Sequence, residues 1–146
     1  MAQTTISGPF ASGDKAAGIT GGPNIGLATL SQTAVQNFDT TLVQNTTFYL
    51  PPSSIITAIT VDVLTAFNSA TSATTSAGTA TGGTQYMSSV NAKTAGRAAP
   101  TLSAAQLLAM SNVSTNTTLV VTTTSVGQPT AGQLFIRVEY IQTIGI

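Results

Sequence analysis

The sequence predicts an all-β protein, a single β-sandwich or jelly-roll domain with an extended N-terminal arm and one short helix. Three observations indicate this fold. Runs of alternating, β-branched residues recur along the chain. Turn signals rich in glycine and proline separate these runs. Seven or eight short strands of this kind, with a single two-turn helix, are typical of sandwiches and jelly rolls.

The most convincing strand runs from about Ile55 to Phe67 and follows the turn at Pro51-Pro52. Its odd positions form a mostly apolar and β-branched face, whereas its even positions are more mixed. We therefore expect the odd positions to line the core: Ile55, Thr57, Ile59, Val61, Val63, Thr65 and Phe67.

The last strand, Leu134–Thr143, alternates most regularly. One face carries Leu134, Ile136, Val138 and Tyr140, and a slip of one residue would invert this pattern, so we expect a well-defined register. Asp62 and Arg137 each lie mid-strand on the less apolar face. We expect these two side chains to be close together if their strands are neighbours.

The rest of the domain supplies weaker elements. Three further strands are predicted over Thr29–Asn37, Thr40–Leu50 and Ser114–Ser125. The low-complexity stretch Thr71–Thr84 predicts a short edge strand followed by a loop, and Gln85–Val90 adds a brief apolar patch. The segment Ala92–Ala99 is expected to be a surface loop. Ala104–Met110 predicts a short helix with Ser103 as its N-cap.

Residues 1–28 are rich in glycine, alanine, serine and threonine and show no consistent apolar period. We take them as a segment separate from the sandwich, which spans residues 29–146. One interpretation is a disordered tail. The other is an arm that orders against a neighbouring subunit, with isolated apolar side chains that fill pockets there: Phe10, Ile19, Ile25 and Leu27.

Charge is the unusual property of the composition. Charged residues make up 5% of the chain and the net charge is zero, whereas an ordinary soluble domain has about 25%. Such a chain lacks the basic surface that nucleic-acid binding requires. We infer a surface of hydroxyls and amides that other protein copies cover. Lys93 and Arg97, two of the four basic residues, are candidate contact residues in one loop.

The sequence offers little for catalysis, cofactors or membranes. It contains no histidine and no cysteine, which removes the usual zinc and iron sites and the common nucleophilic triads. No phosphate-binding glycine motif and no long apolar run are present. Only Asp62 and Glu139 are carboxylates in well-predicted strands, and solvated or ion-paired roles are more typical of such residues. We therefore expect no enzyme, no metal and no cofactor.

The threonine-rich strands allow two interpretations. Threonine favours a strand simply because it is β-branched. A threonine face can also form a subunit interface in which hydroxyls pair without any charge being desolvated. The low charge of the chain favours the second interpretation.

Part of the chain resembles a known family. The stretch LPPSSIITAITVDVLTAFNSATS (Leu50–Ser72), the later Ala95-Gly96-Arg97 and the closing PTAGQLFIRVEY (Pro129–Tyr140) are similar to small structural proteins of tailed bacteriophages. These are capsid cement, or decoration, proteins. The resemblance covers roughly residues 42–142. It departs from the family at Ala70, where glycine is usual, and in the polar run 73–78, where an alternating apolar strand is usual.

The resemblance implies a β-sandwich homotrimer seated on the outer capsid surface of the virion, over junctions between major capsid subunits. The expected partners are the major capsid protein and further copies of the chain. The expected function is a structural one, stabilisation of contacts between capsid subunits. A tail-fibre or spike domain that binds glycans of the host surface is the alternative.

Overall fold

A computed structural model describes residues 28–142. The contact residues predicted in the arm, from Phe10 to Leu27, lie outside the described residues. Eight strands and one helix follow in chain order, with α1 (Ala104–Ser111) between the sixth and seventh strands. The strands are β1 (Thr29–Asn37), β2 (Val43–Tyr49), β3 (Ser54–Thr65), β4 (Ser72–Gly78), β5 (Met87–Asn91), β6 (Gly96–Ala98), β7 (Thr118–Val126) and β8 (Gln133–Gln142).

The strands form two four-stranded antiparallel sheets. Sheet A has the order β1-β8-β3-β6, and sheet B has the order β2-β7-β4-β5. Consecutive strands thus alternate between the two sheets over much of the chain, which is the strand order of a jelly roll. The predicted all-β sandwich with one short helix is confirmed.

Strand β8 organises sheet A because it pairs along nearly its whole length with β1 and along its whole length with β3. The alternation predicted for this strand is confirmed. Leu134, Ile136 and Val138 are fully buried and Tyr140 nearly so, while the residues between them are half-buried on the outer face. The pairing of β1 with β8 runs over nine residue pairs without a register shift.

The core face predicted for β3 is wrong in its first half. The register with β8 shifts between Ile56 and Ala58, because Thr57 is an extra residue that forms a β-bulge. Before the bulge, the even-numbered Ile56 faces the core. Beyond it the odd-numbered Val61 and Val63 face the core, as predicted. Thr57 is exposed as a result. A second register shift, between Val63 and Thr65, leaves Thr65 exposed, so the prediction is wrong at that position too.

Two other predictions need correction. β4 is not an edge strand, because β7 pairs with it on one side and β5 on the other. Its alternate residues Ala73, Thr75 and Ala77 are buried, so small side chains fill a central position of sheet B. The segment predicted as a surface loop at 92–99 contains β6, whose three residues pair with Val61–Val63 of β3.

Helix α1 begins as predicted. The Ser103 side chain accepts from the backbone N–H of Gln106, and the Gln106 side chain accepts from the backbone N–H of Ser103. This reciprocal capping box satisfies two amide groups that a helix start leaves unpaired. The Gln106 amide also donates to the carbonyl of Thr84 and to the hydroxyl of Ser88, which fixes the helix against sheet B.

We expect Gly132→Ala to destabilise the fold by about 1–3 kcal/mol. Gly132 is buried, and a Cβ at this position would lie 2.6 Å from the Phe67 ring, which is itself fully buried. Gly82→Ala is the matched control, because Gly82 also has a positive φ but has open space around it. Chemical denaturation of both variants measures the difference. Equal losses of unfolding free energy would contradict a steric role for Gly132.

Candidate interaction surfaces

Four of the charged side chains lie on the outer face of sheet A. Arg97 of β6 lies opposite Asp62 of β3 and donates two hydrogen bonds to its carboxylate, at 2.7 and 3.1 Å. Arg137 and Glu139 of β8 form the second pair, with 3.2 Å between Nε and Oε1. β3 and β8 are neighbours, and Arg137 is close enough to lower the pKa of Asp62, although Arg97 is its direct partner.

These charged pairs do not form a catalytic or metal-binding set. Asp62 lies across from Phe135, and Glu139 lies across from Ala58, four residues earlier on β3. That separation along the strand is about 13 Å, beyond the roughly 5–9.5 Å between paired carboxylates in glycoside hydrolases. Within residues 28–142, no three acidic, histidine or cysteine side chains gather where a metal ion could bind.

Lys93 and Arg97, the predicted contact residues in the described domain, have different surroundings. The Lys93 ammonium donates to the backbone carbonyls of Ser69, at 2.8 Å, and Thr71, at 3.4 Å. It therefore holds the loop between β3 and β4. The Arg97 side chain is 65% exposed beside Asp62. Their role as contacts with a partner stays a prediction.

The residues that carry the phage resemblance join two loops of the sandwich. The Asn68 side chain accepts from the backbone N–H groups of Thr130 and Ala131 and donates to the Thr130 hydroxyl, at 2.8–3.0 Å. Phe67, one residue earlier, is fully buried against Gly132. This motif thus fixes the loop between β3 and β4 to the loop between β7 and β8, which is a structural role.

Threonine hydroxyls also bond inside the chain. Between the sheets, Thr75 and Thr123 are hydrogen-bonded at 3.0 Å, and the Thr123 hydroxyl reaches the carboxamide of Gln36. On the outer face of sheet B, the buried Thr122 donates to Asn45 and accepts from the backbone N–H of Gly82. The loop between β4 and β5 therefore packs over this face. At these positions the threonines join parts of one chain.

Two of the shallow grooves that the described residues form are lined largely by small side chains or by side chains that already have hydrogen-bond partners. One, of about 460 Å³, lies beside β5 and β6 and is lined mainly by small side chains. The other, of about 420 Å³, lies between β1 and β2. In it Asn37 already accepts from Gln133, and Asn45 bonds Thr81 as well as Thr122. The Gln36 amide nitrogen, which has no hydrogen-bond partner among the described residues, is buried beneath the groove.

One end of the sandwich exposes apolar side chains. It is the end where β1 leads into β2 and β7 leads into β8, joined by the bonds Phe38 N to Gly132 O and Ser125 N to Leu42 O. Six large apolar side chains there are 42–55% exposed. We call this surface the apolar end: Val35, Phe38, Leu42, Val43, Leu64 and Val126.

The apolar end carries little charge. Asp39 is the one charged residue within the stretches 35–43 and 126–133. These side chains are not among the contact residues predicted from the sequence. The available signal was the position of Phe38 in the short link between two predicted strands, where polar residues are usual.

Comparisons with known proteins found no relative of this chain. No protein-family model matches the chain, and neither curated proteins nor solved structures gave a significant match. The resemblance to phage proteins thus depends on the quoted motifs alone. Among the described residues, no helix is both long and apolar enough to span a bilayer.

We expect Asn68→Ala to lower the free energy of unfolding by about 1–2 kcal/mol, because two backbone N–H groups lose their acceptor. Asn68→Asp retains an oxygen that can accept from Thr130 and Ala131, so it should cost less. Urea denaturation of the two variants gives both values. If Asn68→Asp were as damaging as Asn68→Ala, these backbone bonds would not be the source of stability.

The pair of Asp62 and Arg97 predicts a pH dependence. The hydrogen bond from Arg97, and then attraction to Arg97 and Arg137, holds the pKa of Asp62 below its ordinary value of 3.8, against an opposing effect of burial. Ionised Asp62 therefore stabilises the folded state at pH values above its ordinary pKa of 3.8. This contribution to stability is lost as the pH falls through the lower pKa that Asp62 has in the folded state.

We expect the difference in Tm between the wild type and Asp62→Asn to be constant above about pH 5 and to shrink below pH 3.8. In an Arg97→Gln background, the same substitution should show a weaker pH dependence. Thermal melts at a series of pH values measure both differences. A wild-type advantage that stayed undiminished at the acid limit would contradict the shift.

Proposed function

We propose that this chain is a structural virion protein, a capsid cement or decoration protein of a tailed bacteriophage. It binds the outer capsid surface and stabilises contacts between major capsid subunits. The apolar end is the observation that carries the proposal, because it gathers exposed apolar side chains from one loop and four strand ends. The phage-like motifs and the jelly-roll order support it, although this fold also serves other functions.

The physical basis of attachment is the burial of uncharged surface. Exposed apolar patches on soluble proteins commonly mark sites of protein–protein contact. Covering the apolar end requires little charge desolvation, since Asp39 is the one charged residue in its loops. The free energy gained per copy is modest. Linked copies of the chain would add avidity, because they bind the same capsid surface.

The rest of the domain acts as a rigid support for that end. Asn68 and Phe67 fix the loops behind it, and Lys93 holds the neighbouring loop through two carbonyls. A surface held in one conformation loses less conformational entropy on binding. These residues therefore contribute to attachment by ordering the apolar end.

Co-sedimentation with capsids that lack the chain tests the proposal. The wild-type protein should bind such capsids and raise the temperature at which they release DNA. Leu42→Lys places a charge in the apolar end and should weaken binding at least tenfold, which corresponds to about 1.4 kcal/mol. Leu108→Lys is the matched control, because Leu108 is 75% exposed on α1, which is not part of the apolar end.

Two results would contradict the proposal. One is a folded wild-type protein that does not bind these capsids. The other is an equal loss of binding in Leu42→Lys and Leu108→Lys, which would mean that the apolar end is not the contact surface. Specific binding to a glycan array, together with labelling at the phage tail, would instead establish the spike alternative.

A further inference from the structure

Within residues 28–142, the side of β1 that faces away from β8 carries backbone groups without strand partners. Among these residues β1 is an edge strand of sheet A, bonded to β8 alone. The bond from Phe38 N to Gly132 O continues the β1–β8 register and fixes the phase of the ladder. In an antiparallel pair, hydrogen-bonded positions alternate. The even-numbered residues of β1 therefore bond β8, and the odd-numbered residues direct their N–H and C=O groups away from the sheet.

Among the described residues, this edge has none of the features that normally prevent strand addition. Proteins blunt exposed edges with charges, prolines, bulges or very short strands. β1 is nine residues long, TLSQTAVQN, with no charge and no proline. Its register with β8 has no shift.

The opposite side of the same sandwich is protected. β6 has only three residues, and it carries Arg97. β5 pairs with β4 through a register shift, and β3 has two shifts. The contrast lies within one molecule, so the low charge of the chain as a whole does not explain the open β1 edge.

The β2 edge of sheet B lies on the same side as β1. The Gln32 side chain of β1 donates to the backbone carbonyl of Tyr49 at the end of β2, at 2.8 Å. β2 is also uncharged and pairs with β7 without a shift. One whole side of the sandwich therefore consists of two regular, uncharged edges.

The β1 edge is complementary to itself. If two copies meet antiparallel about Thr33, the outward-directed residues align with one another: Thr29 with Asn37, Ser31 with Val35, and Thr33 with Thr33. The two-fold symmetry repeats the first two pairings, so there are five aligned pairs. Each forms two backbone hydrogen bonds, roughly ten in all. No like charges face each other, because β1 has none.

We propose that a second copy of this chain binds the β1 edge by antiparallel strand addition centred on Thr33. The two A sheets then form one continuous eight-stranded sheet. A two-fold contact of this kind is isologous and closes as a dimer. It differs from the trimer that the phage resemblance implies. The contact concerns the isolated protein, so its test is independent of capsid binding.

The molar mass in solution tests the proposal first. Light scattering after size exclusion should give twice the chain mass of 14.7 kDa, with dissociation on dilution. Thr33→Pro removes an N–H that points away from β8, and proline is tolerated on such an edge. This variant should be monomeric with an unchanged circular dichroism spectrum. Thr33→Lys, which places two ammonium groups together at the two-fold axis, should also be monomeric.

Thr101→Lys is the control for added charge, because Thr101 is exposed beside the protected edge. It should remain dimeric. A wild-type protein that is monomeric or trimeric at every concentration would overturn the proposal. So would a dimer that persists in both Thr33 variants, or one lost equally in Thr101→Lys.

A single cysteine gives a direct geometric test, because the chain contains none. Directly paired residues of this type have Cα atoms about 5.5 Å apart, within the range that a disulfide can bridge. Thr33→Cys should cross-link to a dimer under mild oxidation, whereas Thr101→Cys should not. Equal cross-linking of the two variants, or none at Thr33→Cys, would exclude the Thr33-centred register.

Discussion

The antiparallel pairing of β8 with both β1 and β3 is the interaction on which the rest of the structure depends. It places Leu134, Ile136 and Val138 between the sheets, where all three are fully buried. Burial of each such side chain contributes roughly 1.5–3 kcal/mol. The same alternation directs Arg137 and Glu139 to the outer face, where Asp62 and Arg97 also lie. The core and the charged face of sheet A are thus two consequences of one strand register.

In this chain, hydrogen bonds between hydroxyl and amide side chains link sheets and loops, a role that charged pairs often have in other domains. Thr75, Thr123 and Gln36 link the two sheets through their side chains. Asn68 joins two loops, and Asn45 with Thr122 holds a third loop against sheet B. Such bonds satisfy polar groups without the cost of desolvating an ion. The abundance of threonine in the interior therefore has a structural explanation.

Local patterns predicted the elements whose faces are set by their own sequence. β1 has the predicted bounds, the alternation of β8 is confirmed, and the Ser103 N-cap is present. The predictions were wrong where pairing with a strand distant in sequence determines which residues face the core. The bulge at Thr57 appears only when β3 is paired with β8.

Long-range pairing also explains why the surfaces were harder to predict. β4 becomes central because β7 and β5 both pair with it, although its composition suggested an edge. The six side chains of the apolar end come from separate segments that only the jelly-roll order brings to one end. The predicted proximity of Asp62 to Arg137 was obtainable from sequence once the strands were assumed to be neighbours. The direct partner Arg97 was not, because β6 was taken for a loop.

The function we propose depends on the exposed surface of the sandwich, above all on the apolar end. Cryo-electron microscopy of the intact phage particle tests that central claim most directly. We predict density for the sandwich on the outside of the capsid, with the apolar end against the major capsid protein. Density for this chain at the tail tip, or on the capsid with the apolar end facing solvent, would contradict the account.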